Sequence, residues 1–205
     1  KAQLQRAITP RTKAVIINSP CNPTGSVYTK EQLQELADLL VTTPLWIISD
    51  EIYEHFIYDG KTHVSIASLS PELKKKTIVV NGVSKSYSMT GFRIGYAAGP
   101  KEVIGAMTTL QSQTTSGPTS ISQKAAIAAL KDGRDFVQTM VAEYARRRQF
   151  MVEQLNGIAG ISCIASAGSF YLFPNVIDLL ERRPEIKHAS DLAEYLLEEA
   201  AVATV

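Results

Sequence analysis

The chain has 205 residues, of which 45% are hydrophobic and 20% charged, a composition typical of a folded globular protein rather than a disordered or fibrous one. Its 21 Lys and Arg residues nearly balance 20 Asp and Glu residues, and a net charge of +1 provides no large positive field for binding nucleic acid. No stretch reaches the ~18 consecutive apolar residues of a transmembrane helix, so no membrane partner is expected.

The two cysteines and the three histidines lack the spacing of known metal or redox motifs. Cys21 and Cys163 cannot build a disulfide framework, which favours a reducing, cytoplasmic compartment. His55, His63 and His188 have no ligand spacing, so we predict no metal site.

The ends of the chain suggest that it is a piece of a longer protein. The first residue is Lys1 rather than Met, and the apolar run at 201–205 is typical of a strand cut partway. We therefore expect an internal fragment.

The first predicted elements are a strand and a helix joined by a turn. Residues 14–18 form a continuous apolar run, which is typical of a strand covered on both faces. A turn rich in Pro, Asn and Gly follows at 19–25. Thr29 and Gln32 then have the spacing of a capping box, and the residues after them form one apolar helical face.

Two further apolar runs, at 45–49 and 77–81, predict two more strands. Strands that alternate with helices favour a parallel sheet with right-handed crossovers. The connection at 82–92 is too short for a crossover with a packed helix, so the next strand, at 93–98, is predicted to be antiparallel to its neighbour. The sheet is therefore expected to be mixed.

The remainder of the chain is predicted to be mainly helical. We expect helices at residues 101–115, 120–131 and 134–156. After Asn156 and Gly157 the pattern predicts short strands near 161–164 and 170–173, and then a helix that begins at Ser190.

These elements predict an α/β fold with a mixed, mostly parallel sheet, flanking helices and part of a smaller α+β domain. We place the domain boundary at the start of the long helix. Residues 1–133 would then belong to the large domain, and residues 134–205 would hold the connecting helix and part of the small domain.

Three polar groups follow the first three predicted strands. Asn22, Asp50 and Lys85 each come after the carboxyl end of a strand, where open α/β sheets bind their ligands. Tyr53, one helical turn beyond Asp50, would face the same space. We therefore expect these side chains to converge on one site.

Lys85 and Arg93 suggest the chemistry of that site. An amine removed from water and close to another cation is disfavoured as ammonium, and the neutral amine condenses with carbonyls. The fork-shaped guanidinium of Arg93 suits a phosphate. An aldehyde that carries a phosphate arm and a basic ring nitrogen would satisfy these groups and the Asp50 carboxylate together.

The residues around these groups resemble the motifs of class I (fold type I) pyridoxal-phosphate-dependent aminotransferases, closest to the aspartate aminotransferase-like branch. The matching stretches, in the order in which that family has them, are Asn-Ser-Pro-Cys-Asn-Pro-Thr-Gly at 18–25, Ser-Asp-Glu-Ile-Tyr-Glu-His-Phe at 49–56, Asn-Gly-Val-Ser-Lys-Ser-Tyr-Ser-Met-Thr-Gly-Phe-Arg-Ile-Gly-Tyr at 81–96 and, more weakly, Gly-Ser-Phe-Tyr-Leu-Phe-Pro at 168–174.

The resemblance implies pyridoxal 5'-phosphate as cofactor and a role for each candidate residue. Lys85 would be the lysine that condenses with the cofactor aldehyde, and Asp50 would pair with the ring nitrogen. Asn22 and Tyr53 would hydrogen-bond the ring hydroxylate, and Arg93 would hold the phosphate.

One position departs from the family pattern. Where the family often has a phosphate-binding Ser, three residues before the lysine, this chain has Gly82. Either the nearby Ser84 or the backbone N–H of Gly82 would replace that contact.

The reaction implied is transfer of an amino group between an amino acid, with aspartate one candidate, and a 2-oxo acid, in a ping-pong scheme and a homodimer. The resemblance also places the family's substrate-binding Arg after residue 205 and a phosphate loop before residue 1. Two alternatives stay open: a lyase or synthase with the same cofactor, and a non-catalytic sensor domain of a transcription regulator.

Overall fold

A computed structural model describes residues 1–204 of the chain. Within them one sheet has the strand order β1-β2-β3-β4, formed by Ala14–Asn18 (β1), Trp46–Asp50 (β2), Thr77–Gly82 (β3) and Gly95–Ala98 (β4). The first three strands are parallel, and β4 is antiparallel to β3. The predicted mixed sheet is confirmed, with the fourth strand beginning two residues later than expected.

The helices among these residues are Ala2–Ala7 (α1), Lys30–Leu40 (α2), Pro71–Lys74 (α3), Lys101–Thr114 (α4), Ser120–Asp132 (α5), Arg134–Asn156 (α6), Ile177–Glu181 (α7) and Ala189–Ala200 (α8). The three helices predicted beyond residue 100 are confirmed to within one residue. The capping box is also confirmed, because Thr29 Oγ1 accepts from the backbone N–H of Gln32 and Gln32 Oε1 accepts from that of Thr29. No helix in this part of the chain combines the length and the apolar character needed to cross a bilayer.

The hydrophobic core lies between α2 and one face of the sheet. It is formed by buried residues from α2, β1, β2 and the segments that follow them, namely Ile17, Leu33, Ala37, Leu40, Leu45, Ile47, Ile66 and Leu73. Alternate residues of a strand point to opposite faces, and Ile16, on the other face of β1, is 69% exposed. The prediction that β1 is covered on both faces is therefore wrong within residues 1–204.

The two short strands predicted near 161–164 and 170–173 do not form. Isolated bridges join Ser162 to Asn175 and Gly168 to Ile57 instead. The backbone around Gly168 is bonded to loops of the sheet domain, since Gly168 N–H donates to Gly25 O at 2.8 Å and Ser169 N–H donates to Phe56 O at 2.9 Å. These bonds leave no ladder for a regular strand.

The C-terminal predictions need two smaller corrections. Helix α8 begins at Ala189, one residue before the predicted Ser190, and the Asp191 carboxylate accepts from the backbone N–H of His188 at 3.0 Å. The strand predicted at 201–205 does not form over residues 201–204, and Val205 lies outside the described residues.

The position of the core predicts that Leu→Ala lowers the free energy of unfolding much more at residue 40 than at residue 197. Leu40→Ala, at a fully buried position of α2, is expected to lower the free energy of unfolding by about 2–5 kcal/mol, because it removes apolar contacts and leaves a cavity. Leu197→Ala, at a position 57% exposed on α8, should change it by less than about 0.5 kcal/mol. Urea denaturation of the 205-residue chain measures both, and equal effects would contradict the assignment of the core.

Candidate active site

The carboxyl ends of β1 and β2 lie side by side and fix the backbone of Asp50. Asn18 pairs with Asp50 in the parallel register. The Asp50 carbonyl accepts from the backbone N–H of Ser19 at 3.2 Å and from the amide of Asn18 at 3.3 Å. The Asp50 carboxylate itself accepts from the backbone N–H of Ile52 at 3.3 Å. The end of β2 is thus held from the strand beside it.

The turn after β1 places Asn22 at the same edge. Asn18 Oδ1 accepts from the backbone N–H of Asn22 at 2.8 Å, so the side chain that ends the strand also shapes the turn. Gly25 has a φ of +66°, and a Cβ there would lie 2.4 Å from Cβ of Ser166 and 2.6 Å from the carbonyl oxygen of Gly168. Only glycine allows this close approach, which brings segment 166–171 against the turn.

Asn22 and Tyr53 meet at one oxygen atom, the hydroxyl of Tyr171. The Asn22 amide donates to that hydroxyl at 3.4 Å, and the Tyr53 and Tyr171 hydroxyls lie 3.0 Å apart. The pKa of Tyr53 is raised by burial, by the Tyr171 hydroxyl and by the charge of Asp50. The hydrogen bond with Asn22 lowers it, but by less. Tyr53 therefore stays protonated at neutral pH and is able to donate a hydrogen bond.

Lys85 points toward the same aromatic residues. Its Nζ lies 6.0 Å from the ring centre of Tyr53 and 5.8 Å from that of Phe170, within the range of cation–π contacts. The loop that carries it is anchored by the buried side chains of Val83 and Ser86. Asn22 and Lys85 therefore both lie close to Tyr53 and the aromatic residues around it, and the charge of Asp50 acts on Tyr53.

Ser84 and Arg93 are not joined to this group. Arg93 is exposed, its guanidinium donates to the carbonyl of Thr90 at 2.9 Å, and its φ of +53° is in the left-handed region. Ser84 is half-buried. Within residues 1–204 neither side chain is hydrogen-bonded to the other four candidate residues.

Gly82 has a packing reason to lack a side chain. A Cβ at this position would lie 3.1 Å from the Cα of Gly95 and 3.1 Å from the carbonyl oxygen of Ile94. The close pairing of β3 with β4 therefore disfavours a larger residue here. A Ser at this position would require the two strands to move apart by a few tenths of an ångström.

Two site residues were missed by the sequence reasoning. Tyr171 contacts Asn22 and Tyr53, and the Phe170 ring packs edge-on against Tyr53 with ring centres 5.3 Å apart. Both lie in segment 168–174, which the sequence marked only as a family landmark. Two successive aromatic residues after a Gly-Ser pair were the available signal, because aromatic side chains often line ligand pockets.

The contact between the Tyr53 and Tyr171 hydroxyls predicts a measurable change in the pKa of Tyr53 when Tyr171 is replaced. In Tyr171→Phe the pKa of Tyr53 should fall, because the hydrogen bond that Tyr53 donates to Tyr171 helps to raise it, and it should stay above the usual value because burial remains. Titration of ring-labelled tyrosine by NMR measures this shift. Tyr195→Phe, on the exposed side of α8, is the matched control. An unchanged Tyr53 pKa in Tyr171→Phe would contradict the contact.

Comparison with known proteins places this geometry in a family. The profile of the family described as aminotransferase class I and II matches residues 1–205. Aspartate aminotransferase of Geobacillus stearothermophilus is 52% identical over 203 residues, covering 99% of this chain and 51% of that protein. Aspartate/prephenate aminotransferase of Nitrosomonas europaea is 46% identical over 209 residues, covering 99% of this chain and 53% of that protein.

Solved structures of aminotransferases also match this chain. The crystal structure of aspartate aminotransferase from Rhizobium meliloti matches all of this chain and 52% of its own, with a TM-score of 0.93 and 45% identity. The structure of aromatic aminotransferase from Pyrococcus horikoshii OT3 matches with a TM-score of 0.90 at 43% identity, over all of this chain and 53% of its own.

This chain spans about half the length of the relatives it matches. Class I aminotransferases use pyridoxal phosphate as cofactor. The match over the whole chain confirms both the predicted fold class and the resemblance drawn from the three motifs. The chain belongs to the class I and II aminotransferase family.

Proposed function

We propose that the protein is a pyridoxal-phosphate-dependent aminotransferase that moves an amino group between an amino acid and a 2-oxo acid, with aspartate as a substrate. The observation that carries this proposal is the meeting of two hydrogen-bond donors, Asn22 and Tyr53, at one oxygen beside the Lys85 amine. Relatives named aspartate aminotransferase support the choice of substrate.

The residues present fit the cofactor. The contacts with Tyr171 show that Asn22 and Tyr53 can both reach one oxygen, and the ring hydroxylate of pyridoxal phosphate is an acceptor of the same kind. Asp50 ends β2 beside Asn18 of β1, so a carboxylate is available at the same edge of the sheet for a ring nitrogen. Arg93, whose guanidinium has further donors beyond the one given to Thr90, would hold the phosphate.

When bound, pyridoxal phosphate supplies an aldehyde that condenses with amines and a ring that accepts electrons from the substrate carbon. Asp50 would keep the ring nitrogen protonated, since opposite charges ~4 Å apart near a protein surface attract by about 4 kcal/mol before desolvation. Asn22 and Tyr53 would hold the ring in one orientation by donating to its hydroxylate. Orientation of this kind lowers the barrier by removing unproductive geometries.

Lys85 would serve both as the covalent anchor and as the general base. Its Nζ would take the proton from the Cα of the amino acid, a role that needs a neutral amine within reach of that carbon. The rings of Tyr53 and Phe170 lie next to each other on one side of Nζ, where they exclude part of the surrounding water.

We also propose a boundary between residues 133 and 134, a homodimer and a cytoplasmic location. The 23-residue helix α6 separates the sheet from the C-terminal segment and supports the boundary. Large apolar side chains are exposed on residues 1–204, among them Ile16, Leu110 and Ile121, and we expect the rest of the protein and a second subunit to bury them. The free thiols of Cys21 and Cys163 support a reducing compartment.

The covalent role of Lys85 is tested by trapping. In the full-length protein incubated with pyridoxal phosphate, borohydride reduction should fix the cofactor on the peptide that contains Lys85, as detected by mass spectrometry. Lys85→Ala should lose this label and amino transfer, because Lys85 supplies the amine next to Tyr53 and Phe170. Lys101→Ala, at an exposed position at the start of α4, is the control and should keep both. Amino transfer by Lys85→Ala would refute the assignment.

The effect of Asp50 on the rate of reaction can be measured separately from any effect on cofactor binding. Asp50→Asn keeps the shape of the side chain and removes its charge, so cofactor should still bind while kcat falls by about 100-fold or more, the scale of losing one electrostatic contact to the reacting group. Steady-state kinetics and a cofactor titration measure the two effects. Asp38→Asn, on the exposed face of α2, is the matched control. A normal kcat in Asp50→Asn would exclude Asp50 from the reaction.

A further inference from the structure

The residue after Asp50 buries its carboxylate in a set of hydrogen bonds. Glu51 is only 4% exposed. Its Oε1 accepts from the hydroxyls of Ser49, at 2.7 Å, and Ser65, at 2.6 Å. Its Oε2 accepts from Nε2 of His63 at 2.9 Å. We call Ser49, Glu51, His63 and Ser65 the Glu51 network.

The Glu51 network is a stable arrangement for a buried charge. Burial alone raises the pKa of the Glu51 carboxyl, but the hydrogen bonds from His63, Ser65 and Ser49 outweigh it, so the pKa lies below its usual value. The carboxylate is therefore ionised at neutral pH. Because His63 and Ser65 come from the segment before the 3-10 helix Ile66–Ser68, the network ties the end of β2 to a separate part of the chain.

The same groups are better explained by hydrogen bonding than by metal binding. Ligand atoms of Glu51, Glu54 and His63 lie within 4.8 Å of one another. However, both oxygens of Glu51 already accept hydrogen bonds, and Oε1 of Glu54 accepts from the amide of Asn81 at 2.7 Å. A cation would have to replace these donors.

The side chain of Asp50 has few restraints of its own. Its carboxylate accepts one hydrogen bond, from Ile52, at 3.3 Å within the described residues. The point from which this side chain extends is set by the backbone at the end of β2. The backbone carbonyl of Asp50 is held by β1, and the next N–H, that of Glu51, donates to the carbonyl of Val80 on β3 at 3.0 Å. The Glu51 network fixes the first residue beyond this point.

We infer that the Glu51 network positions the Asp50 carboxylate for the ring nitrogen of the cofactor. This inference rests on the proposed function, because it assigns a positioning role within that site. Glu51 and its donors do not touch the cofactor in this account. They act through the backbone of Asp50, by preventing rotation at the end of β2.

The test compares two variants that each lose one hydroxyl that donates a hydrogen bond. Ser65→Ala removes a donor from Glu51. Thr77→Val removes the hydroxyl that donates to Leu73 O at 2.7 Å, at the far end of β3. In the full-length protein, Ser65→Ala should raise the Kd for pyridoxal phosphate about tenfold, equivalent to about 1.4 kcal/mol. Thr77→Val should change it less than about twofold, although both variants should lower the urea midpoint.

Two further variants keep the test decisive. Ser65→Thr keeps a hydroxyl and should therefore have the wild-type Kd. If the size of the side chain were the cause, this larger residue would also change the Kd. Ser49→Ala removes the other hydroxyl that donates to Glu51 Oε1, and it should raise the Kd as Ser65→Ala does. If Ser65→Ala does not fold, Ser49→Ala takes its place in the test. The absorbance spectrum of the bound cofactor is a second readout and should shift in Ser65→Ala but not in Thr77→Val.

The outcomes separate this inference from the proposed function. Equal Kd values in Ser65→Ala and Thr77→Val, with a wild-type protein that binds cofactor on Lys85, would overturn the positioning role alone. A wild-type protein that does not bind pyridoxal phosphate on Lys85 would overturn the proposed function, and this inference with it.

Discussion

The parallel pairing of three strands is the constraint on which the site depends. Asn18 and Asp50 end neighbouring strands in register, and Val80 is the next partner across the sheet. This pairing brings to one edge groups that are distant in the sequence, because the carboxyl ends of parallel strands lie together. A slip of one residue at Asp50 would turn its carboxylate to the other face of the sheet, where Ser49 and Glu51 are buried.

Aromatic residues from the C-terminal segment form the other part of the site. Phe170 and Tyr171 contact Tyr53 and pack across from Lys85. This contact depends on Gly25 and Gly168, which allow the two backbones to approach closely. A site that combines a lysine from the sheet domain with aromatic residues from another segment is partly shielded from water, and electrostatic contacts inside it are correspondingly stronger.

The sequence predicted the local features well and the long-range ones poorly. The strands, the helices beyond residue 100 and the capping box at Thr29 follow from periodicity and spacing within a few residues, and the antiparallel fourth strand follows from the short connection before it. The contact between Tyr53 and Tyr171 joins residues 118 positions apart, and no local pattern encodes it. The missing strand near 170–173 has a related cause, because the backbone just before it, at Gly168 and Ser169, bonds to the distant Gly25 and Phe56.

The central claim is that Asn22 and Tyr53 donate to one cofactor oxygen beside a covalent bond to Lys85. A crystal structure of the full-length protein grown with pyridoxal phosphate tests it most directly. We expect continuous electron density from Nζ of Lys85, with a ring oxygen within hydrogen-bonding distance of Nδ2 of Asn22 and the hydroxyl of Tyr53. Density attached to another residue, or a cofactor bound away from these two donors, would contradict it.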